Sequence, residues 1–116
     1  RNSAEAVEFY KTAFGAVETY RIGEDPSAGV VSRLSVEGAE FWLSEESPEN
    51  GNHSPASLGG ATGHFVLIVP DPESFIPRTI AAGAAEVWPI GDGHGWHLGR
   101  ITDPYGYDWE IGYPTV

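Results

Sequence analysis

The stretch "TDPYGYDWEI", late in the chain, places a carboxylate among apolar residues. Asp103-Pro104 predicts a turn that feeds a strand, and the side chains of a strand alternate between its two faces. Asp108 and Glu110 should therefore share one face, while Trp109 and Ile111 occupy the other. Glu110 is then a solvated residue of the outer face, a metal ligand or a recognition group inside a cavity.

Two tryptophans, Trp42 and Trp96, could line such a cavity. Trp42 alternates with two apolar neighbours and points into a cavity if those neighbours pack on a helix. Aromatic side chains in a concave site stack on planar ligands and attract cations. Core filling is the alternative role of a tryptophan, and it is predicted for the other two, Trp88 and Trp109.

Arg100 shares a strand face with Trp96, and two roles are open to it. It pairs with Glu110 across neighbouring strands, which is the favoured role, or it meets an anionic ligand group. His97 should face the opposite side of that strand. The stretch "GDGHGWHLG", which contains Trp96 and His97, lacks the lysine of a phosphate loop and precedes a strand rather than a helix. It indicates a mobile hairpin or lid, or a plain surface turn.

The elements that must position these residues begin with a helix, "SAEAVEFYKTAF", whose apolar residues fall on one stripe. Asn2 or Ser3 is its predicted N-cap, and Gly15 ends it. A turn at Asp25-Pro26 separates the first two of three predicted strands. These strands are Val17–Ile22, Val30–Val36 and Glu40–Ser44. A stretch rich in serine, proline and glycine, residues 45–63, predicts a long loop.

The second half repeats this plan with one more strand at its start. Asp71 precedes its helix, Pro77 predicts a short first turn or a kink, and Pro89 predicts an edge strand or an early strand end. The predicted elements are a strand at His64–Val69, a helix at Pro72–Ala82, and strands at Glu86–Ile90, Trp96–Ile101 and Asp108–Gly112.

The two halves align at a constant offset. Gly15 matches Gly83, and 83 − 15 = 68; Glu18 with Glu86 and Gly38 with Gly106 keep the same spacing. The first copy lacks the leading strand that the second copy has at His64. The sequence thus predicts one α+β domain over 1–116, built of tandem βαβββ modules around a half-open sheet cavity: a first module at 1–45 without its leading strand, a linker at 46–62 and a second module at 63–116.

Composition narrows the possible partners. The net charge of −11, from 17 acidic against 6 basic residues, leaves no basic surface for nucleic acid. Its first explanation is solubility alone, and it mildly favours a cationic ligand. The sequence has no cysteine, which suits a reducing compartment, so a cytoplasmic protein is expected. No apolar run approaches the ~20 residues of a spanning helix, and no signal peptide is visible, so no membrane partner is expected.

Three passages carry a family resemblance: "AEAVEFYKTAFGA", "GHFVLIVPDPE" and "ITDPYGYDWEIGYP". With the tandem modules they resemble the vicinal oxygen chelate superfamily, and within it the PhnB-like, glyoxalase/bleomycin-resistance branch. Members that use a metal hold it with four positions around the cavity. Carried over, these positions include His64 and Glu110, which suit Zn, Ni, Mn or Fe. The mate of Glu110 at the 68-residue offset is Trp42, which is no metal ligand, and the mate of His64 would precede Arg1.

The resemblance implies two functions. The first is a small-molecule binder, similar to bleomycin-resistance proteins, that sequesters or carries a planar aromatic antibiotic or metabolite, cationic or neutral. Its expected ligand-binding residues are Trp42, His64, Trp96, Arg100 and Glu110, and no cofactor is favoured. The alternative is a metal-dependent glyoxalase-like lyase, isomerase or dioxygenase, in which His64 and Glu110 ligate the metal and Glu110 or a bound water moves protons. A homodimer is expected in either case.

Overall fold

The structure is a computed structural model that describes residues 3–23 and 29–115. The chain forms two compact units, Arg1–Ser54 and Pro55–Val116, and each contains a sheet of its own. Helices and strands are mixed, with an unclosed sheet of three strands and another of four, so the predicted α+β class is confirmed. The predicted N-cap Asn2 and the predicted turn Asp25-Pro26 lie outside the described residues.

The first unit packs one helix against an antiparallel sheet whose strand order is β1-β2-β3. Each strand agrees with its predicted position to within one residue, and the described part of this unit contains no fourth strand before the helix. The elements are α1 (Ser3–Phe14), β1 (Val17–Ile22), β2 (Val31–Val36) and β3 (Ala39–Leu43).

Aromatic contacts hold α1 on its sheet. Tyr10 of the helix meets Phe41 of β3 edge to face, with ring centroids 5.5 Å apart, and Leu34 of β2 is fully buried beneath the helix. Ser3 fixes the start of the helix, because its hydroxyl donates to Glu45 Oε1 (2.6 Å) and accepts from the backbone N–H of Val30 (2.8 Å). The side of the sheet that carries Phe41 is therefore the side covered by the helix.

The segment predicted as a long loop contains two short helical turns. A 3-10 helix spans Pro48–Asn50, and α2 spans Pro55–Leu58. Both begin with proline, whose fixed φ suits the first helical position and whose missing N–H is not needed there. The loop prediction was too simple, because composition alone did not distinguish a proline that starts a helix from one that interrupts it.

The second unit has the strand order β4-β7-β6-β5, in which β4 and β7 are parallel and the other pairs are antiparallel. Asp71 caps its helix as predicted and accepts from the N–H of Ser74, while Pro77 lies inside the helix without ending it. Pro89 lies on the edge strand, as predicted, but that strand continues to Gly93. The elements are β4 (His64–Ile68), α3 (Pro72–Ala81), β5 (Ala85–Gly93), β6 (Trp96–Thr102) and β7 (Asp108–Pro114).

One face of this sheet packs on α3. Ile101 and Ile111 are fully buried on that face, and Trp109 is 5% exposed, which confirms the prediction that Trp109 fills the core. Gly99 allows a close approach, because a Cβ there would lie 2.7 Å from Cδ1 of Ile76 in α3. The alternation predicted for β7 is thus confirmed: its apolar side chains face the helix, and its two carboxylates face away.

A buried carboxylate organises the turn between β6 and β7. Asp103, 4% exposed, accepts hydrogen bonds from the backbone N–H groups of Tyr105 (2.9 Å) and Tyr107 (3.1 Å). Its second oxygen accepts from the indole Nε1–H of Trp109 (2.9 Å). The turn, its exit strand and the core tryptophan are therefore held by one side chain.

We expect Asp103→Ala to lower the free energy of unfolding by about 3 kcal/mol or more, because it leaves three donors without their acceptor. Asp103→Asn should cost less, since one carbonyl oxygen is kept. Urea unfolding followed by fluorescence measures both effects. The control is Glu86→Ala, at an exposed position, which should stay within about 0.5 kcal/mol of wild type. Equal stability of Asp103→Ala and Glu86→Ala would contradict this role.

Candidate functional site

Four ionisable side chains lie together on the face of the second sheet that points away from α3. Strand register brings them there: His64 pairs with Asp108 across β4 and β7, and Arg100 pairs with Glu110 across β6 and β7. Directly paired residues project to the same face of a sheet. We call His64, Arg100, Asp108 and Glu110 the polar cluster.

Arg100 lies at the centre of this cluster. Its Nη1 is 3.7 Å from Glu110 Oε2 and its Nη2 is 3.2 Å from Asp108 Oδ2, so one guanidinium joins both carboxylates. The predicted pairing of Arg100 with Glu110 is therefore present. His64 approaches the same carboxylate from β4, with Nε2 3.6 Å from Glu110 Oε2.

Asp108 is the most firmly held acid of the cluster. The Thr102 hydroxyl donates to its Oδ1 at 2.6 Å, and this hydrogen bond is the largest cause that lowers the pKa of Asp108. Burial acts in the opposite direction, but the hydrogen bond and charge of Arg100 add to the effect of Thr102, so the net pKa falls below its ordinary value. Asp108 is therefore ionised at neutral pH.

Trp88 was predicted to fill the core, and that prediction is wrong. It is 49% exposed and lies on the cluster's face, where the guanidinium carbon of Arg100 is 5.0 Å from the centre of its ring. The register of β5 against β6 shifts on both sides of Trp88, between Glu86 and Trp88 and between Trp88 and Gly91. Such irregularities change which face of a sheet a side chain meets, and the prediction that Trp88 fills the core did not include them.

Arg100 has one unsatisfied atom: its Nε is buried and has no hydrogen-bond partner. The rest of the guanidinium is held by two carboxylates and an aromatic ring. Beside the cluster, Val66 and Ile68 of β4 leave about half of their surface exposed on the same face. The site thus combines an aromatic ring, exposed apolar surface and a charged cluster, which is the usual composition of a small-molecule site.

Trp96 lies on the same sheet face as Arg100 but near the other end of β6, where it pairs with Gly93 and Pro114. The hairpin predicted before it is present, with only His94 and Gly95 between the paired residues. Both have positive φ (52° and 82°), as a two-residue turn of this kind requires. The residues "GDG" are part of the paired strand β5, so the stretch forms a tight hairpin. Its role as a lid stays a prediction.

Trp42 belongs to the first unit. It lies on the face of that sheet opposite to α1, since its neighbour Phe41 packs on the helix. It is 55% exposed, its ring meets Tyr20 at 5.7 Å, and the guanidinium carbon of Arg33 is 5.4 Å from its centre. Because Phe41 packs on the helix, Trp42 points away from the helix, as strand alternation predicted. Of the five predicted ligand residues, Trp42 lies on the sheet of the first unit. The other four lie on the sheet of the second unit: His64, Trp96, Arg100 and Glu110.

His97 faces α3, opposite to Trp96 as predicted. Its Nδ1 lies 2.7 Å from Asp92 Oδ1, and its Nε2 lies 2.5 Å from Glu73 Oε2 in α3. Two carboxylate partners are satisfied together only when both ring nitrogens carry protons. The hydrogen bond to Glu73 first, and the one to Asp92 second, raise the pKa of His97 above its ordinary value.

The donor set of the polar cluster does not by itself make a metal site. His64 and Glu110 supply two donors, whereas catalytic zinc sites have three protein ligands. Moreover, Arg100 places a positive charge 3.7 Å from the carboxylate oxygen that a cation would need. In the residues that the structure describes, no group of three or more His, Cys, Asp or Glu side chains is placed to hold a metal ion.

Comparison with known proteins establishes the family. The model of the glyoxalase/bleomycin resistance protein/dioxygenase superfamily matches residues 1–111, so the chain belongs to that superfamily. An uncharacterized protein of Mycobacterium bovis is 31% identical over 118 residues, which cover 98% of this chain and 78% of that protein. The predicted family resemblance is confirmed at the level of the superfamily.

Solved structures agree with this assignment. TioX from Micromonospora sp. ML1 is 25% identical, with a TM-score of 0.72 over 95% of this chain and 88% of that one. The fosfomycin resistance protein FosX of Listeria monocytogenes, a mutant solved with Mn(II) and a dihydroxypropylphosphonic acid, shares the fold: its TM-score is 0.68 at 14% identity, over 97% of this chain and 82% of that one. At this level of identity the likeness shows a shared fold. Within the described ranges, no helix is both long and apolar enough to span a membrane.

The bridge of His97 predicts a specific pH dependence of stability. A histidine whose folded pKa is raised contributes stability that is fully present below the unfolded value near 6.5 and is lost as the pH rises through the folded pKa. We therefore expect His97→Gln to lower the melting temperature more at pH 5.5 than at pH 9.

Differential scanning calorimetry of wild type and His97→Gln between pH 5.5 and pH 9 measures this difference in melting temperature. His53→Gln, at an exposed position of the first unit, is the matched control for removing an imidazole and should leave the melting temperature close to that of wild type. A His97→Gln difference that is constant with pH, or larger at pH 9, would be inconsistent with a protonated bridge.

Proposed function

We propose that the chain is a small-molecule binding protein that holds a planar aromatic ligand against Trp88, beside the polar cluster. The observation that carries this proposal is the half-exposed ring of Trp88 held by Arg100 on a sheet face that also exposes Val66 and Ile68. An aromatic ring fixed by a cation offers a planar ligand a stacking surface that needs little ordering on binding.

Charge supports a ligand that is neutral or cationic. Asp108 and Glu110 share the single arginine of the cluster, so their two negative charges are only partly balanced by Arg100. The net charge of −11 would also draw a cation toward the protein by long-range attraction. His64, within 3.6 Å of Glu110, can donate a hydrogen bond to a polar group of the ligand.

Trp42 and Trp96 are also proposed as ligand contacts, each considered on the sheet of its own unit. Trp42 has its own cation and aromatic neighbour, Arg33 and Tyr20, and exposes more than half of its surface. Trp96 lies on the same sheet face as the polar cluster. Exposed tryptophans held in place by neighbours are common anchors for flat ligands.

The biological role that fits this site is sequestration or carriage of an antibiotic or metabolite, as in bleomycin-resistance proteins. Membership of a superfamily named in part for bleomycin resistance supports a binder over a structural domain. A cytoplasmic homodimer of the PhnB-like branch, acting in antibiotic resistance, is the most specific form of this proposal.

Quenching of tryptophan fluorescence by a panel of planar aromatic antibiotics and metabolites tests the proposal. For any ligand that binds wild type, Trp88→Leu should raise Kd about tenfold, because a stacking contact is worth about 1 kcal/mol or more. Phe65→Leu removes an exposed ring from the opposite face of the same sheet and should leave Kd unchanged. A ligand whose Kd is the same in Trp88→Leu and wild type would remove Trp88 from the site.

A metal-dependent, glyoxalase-like enzyme remains the second candidate. It is favoured by the approach of His64 to Glu110 on one face and by the presence of Mn(II) in the related FosX. Because the described residues supply only two donors beside an arginine, this reading needs a further ligand from outside them.

Metal content of the purified untagged protein, followed by titration with Ni, Zn, Mn and Fe(II), separates the two candidates. The binder proposal predicts less than stoichiometric metal and the same titration for wild type and His64→Ala. Near-stoichiometric metal that is lost in His64→Ala would replace the binder with the enzyme.

A further inference from the structure

A cavity of about 440 Å³ lies within the second unit, beside the polar cluster. Its walls come from α2 with the glycines that follow it and from the turn between β6 and β7. The residues at its apolar side are Pro55, Ala56, Ala61, Pro104 and Tyr105. The volume falls in the range of small-molecule pockets, roughly 300–1,000 Å³.

The charge in the cavity wall has one sign. Asp108 is the charged side chain that lines it, accompanied by Thr102; Arg100 does not line the cavity, but its Nη2 is 3.2 Å from Asp108 Oδ2 and balances part of the negative charge that Asp108 and Glu110 carry together. The Asp108 side chain is 25% exposed. Because Thr102 and Arg100 each take one lone-pair position on its two oxygens, further acceptor positions remain for a ligand.

Glycines give the cavity its shape. At the turn, Gly106 touches the start of α2, since a Cβ there would lie 2.8 Å from Cβ of Pro55. This contact joins the turn to α2 at the cavity, which is otherwise largely open to solvent. Gly60 has the opposite property: a Cβ there would meet no atom within 4 Å, and its φ is not left-handed. A Cβ added at Gly60, which lines the cavity, would therefore stand in open space without backbone strain.

We propose that this cavity binds the positively charged end, amidinium or ammonium, of a small planar ligand, with Asp108 as its counter-ion. The inference rests on the proposed function and specifies the chemical class of its ligand. A cation that enters meets a carboxylate on one side and proline, alanine and tyrosine surface on the other, so it gains a charge-assisted hydrogen bond and apolar contact together. Asp108 is shared by the cavity and the polar cluster, and so links this end of the ligand to the aromatic surface at Trp88.

Three matched probes test the inference: benzamidine, the neutral benzamide and the anionic benzoate, each titrated into the ¹⁵N-labelled protein. Benzamidine should shift the backbone amide signals of Gly60 and Gly106, while benzamide should bind at least about tenfold more weakly and benzoate should leave the signals in place. Asp108→Asn should remove the preference for benzamidine over benzamide. Equal binding of all three probes would overturn the proposal.

Gly60→Val tests the location without changing any charge. It should abolish the benzamidine shifts, while Gly91→Val, where a Cβ also meets open space, should bind as wild type does. Normal benzamidine binding in Gly60→Val would overturn the cavity site. That outcome would leave the proposed function intact. The proposed function is tested by a different result, namely whether Trp88→Leu weakens the binding of an uncharged planar ligand.

Discussion

The buried carboxylate of Asp103 is the constraint on which the candidate site depends. It receives two backbone N–H groups of its own turn and the indole N–H of Trp109, so it fixes both the turn and the first residues of β7. This fixes the register in which Thr102 stands opposite Asp108 and Arg100 stands opposite Glu110. A slip of one residue would turn the carboxylates of β7 toward α3 and bring its apolar side chains to the open face.

Arg100 then determines what the open face can do. Its guanidinium contacts two carboxylates and lies over Trp88, so it keeps an aromatic ring in place and partly neutralises the acids. The same positive charge disfavours a metal ion at Glu110, although His64 is close by. Under our proposal, this arrangement suits a binder of organic molecules.

Two regularities of the sequence allowed prediction: the alternation of strand side chains and the offset between the two halves. Alternation along β7 placed Asp108 and Glu110 opposite to Trp109 and Ile111, and the 68-residue offset predicted two repeated modules. Trp88 was misplaced because its direction depends on bulges that arise only when β5 pairs with β6. Similarly, the Glu73 partner of His97 is 24 residues away on a helix, and no spacing rule connects the two.

The cavity beside Asp108 could not be predicted from the sequence either. Its walls join α2, which composition assigned to a loop, to a turn almost fifty residues later. Asp108 itself was recognised as a face-mate of Glu110, but its low pKa depends on Thr102 and Arg100, two residues of the neighbouring strand. Local pattern thus identifies which residues share a face, whereas contacts between strands determine their chemistry.

The indole N–H signals of the four tryptophans give the most direct test of the central claim, that a small molecule binds on the open face of the second sheet. The account predicts that a planar aromatic ligand shifts the Trp88 signal at low ligand concentration while the Trp109 signal, buried and bonded to Asp103, stays in place. A ligand that binds and shifts Trp109 without shifting Trp88 would contradict it.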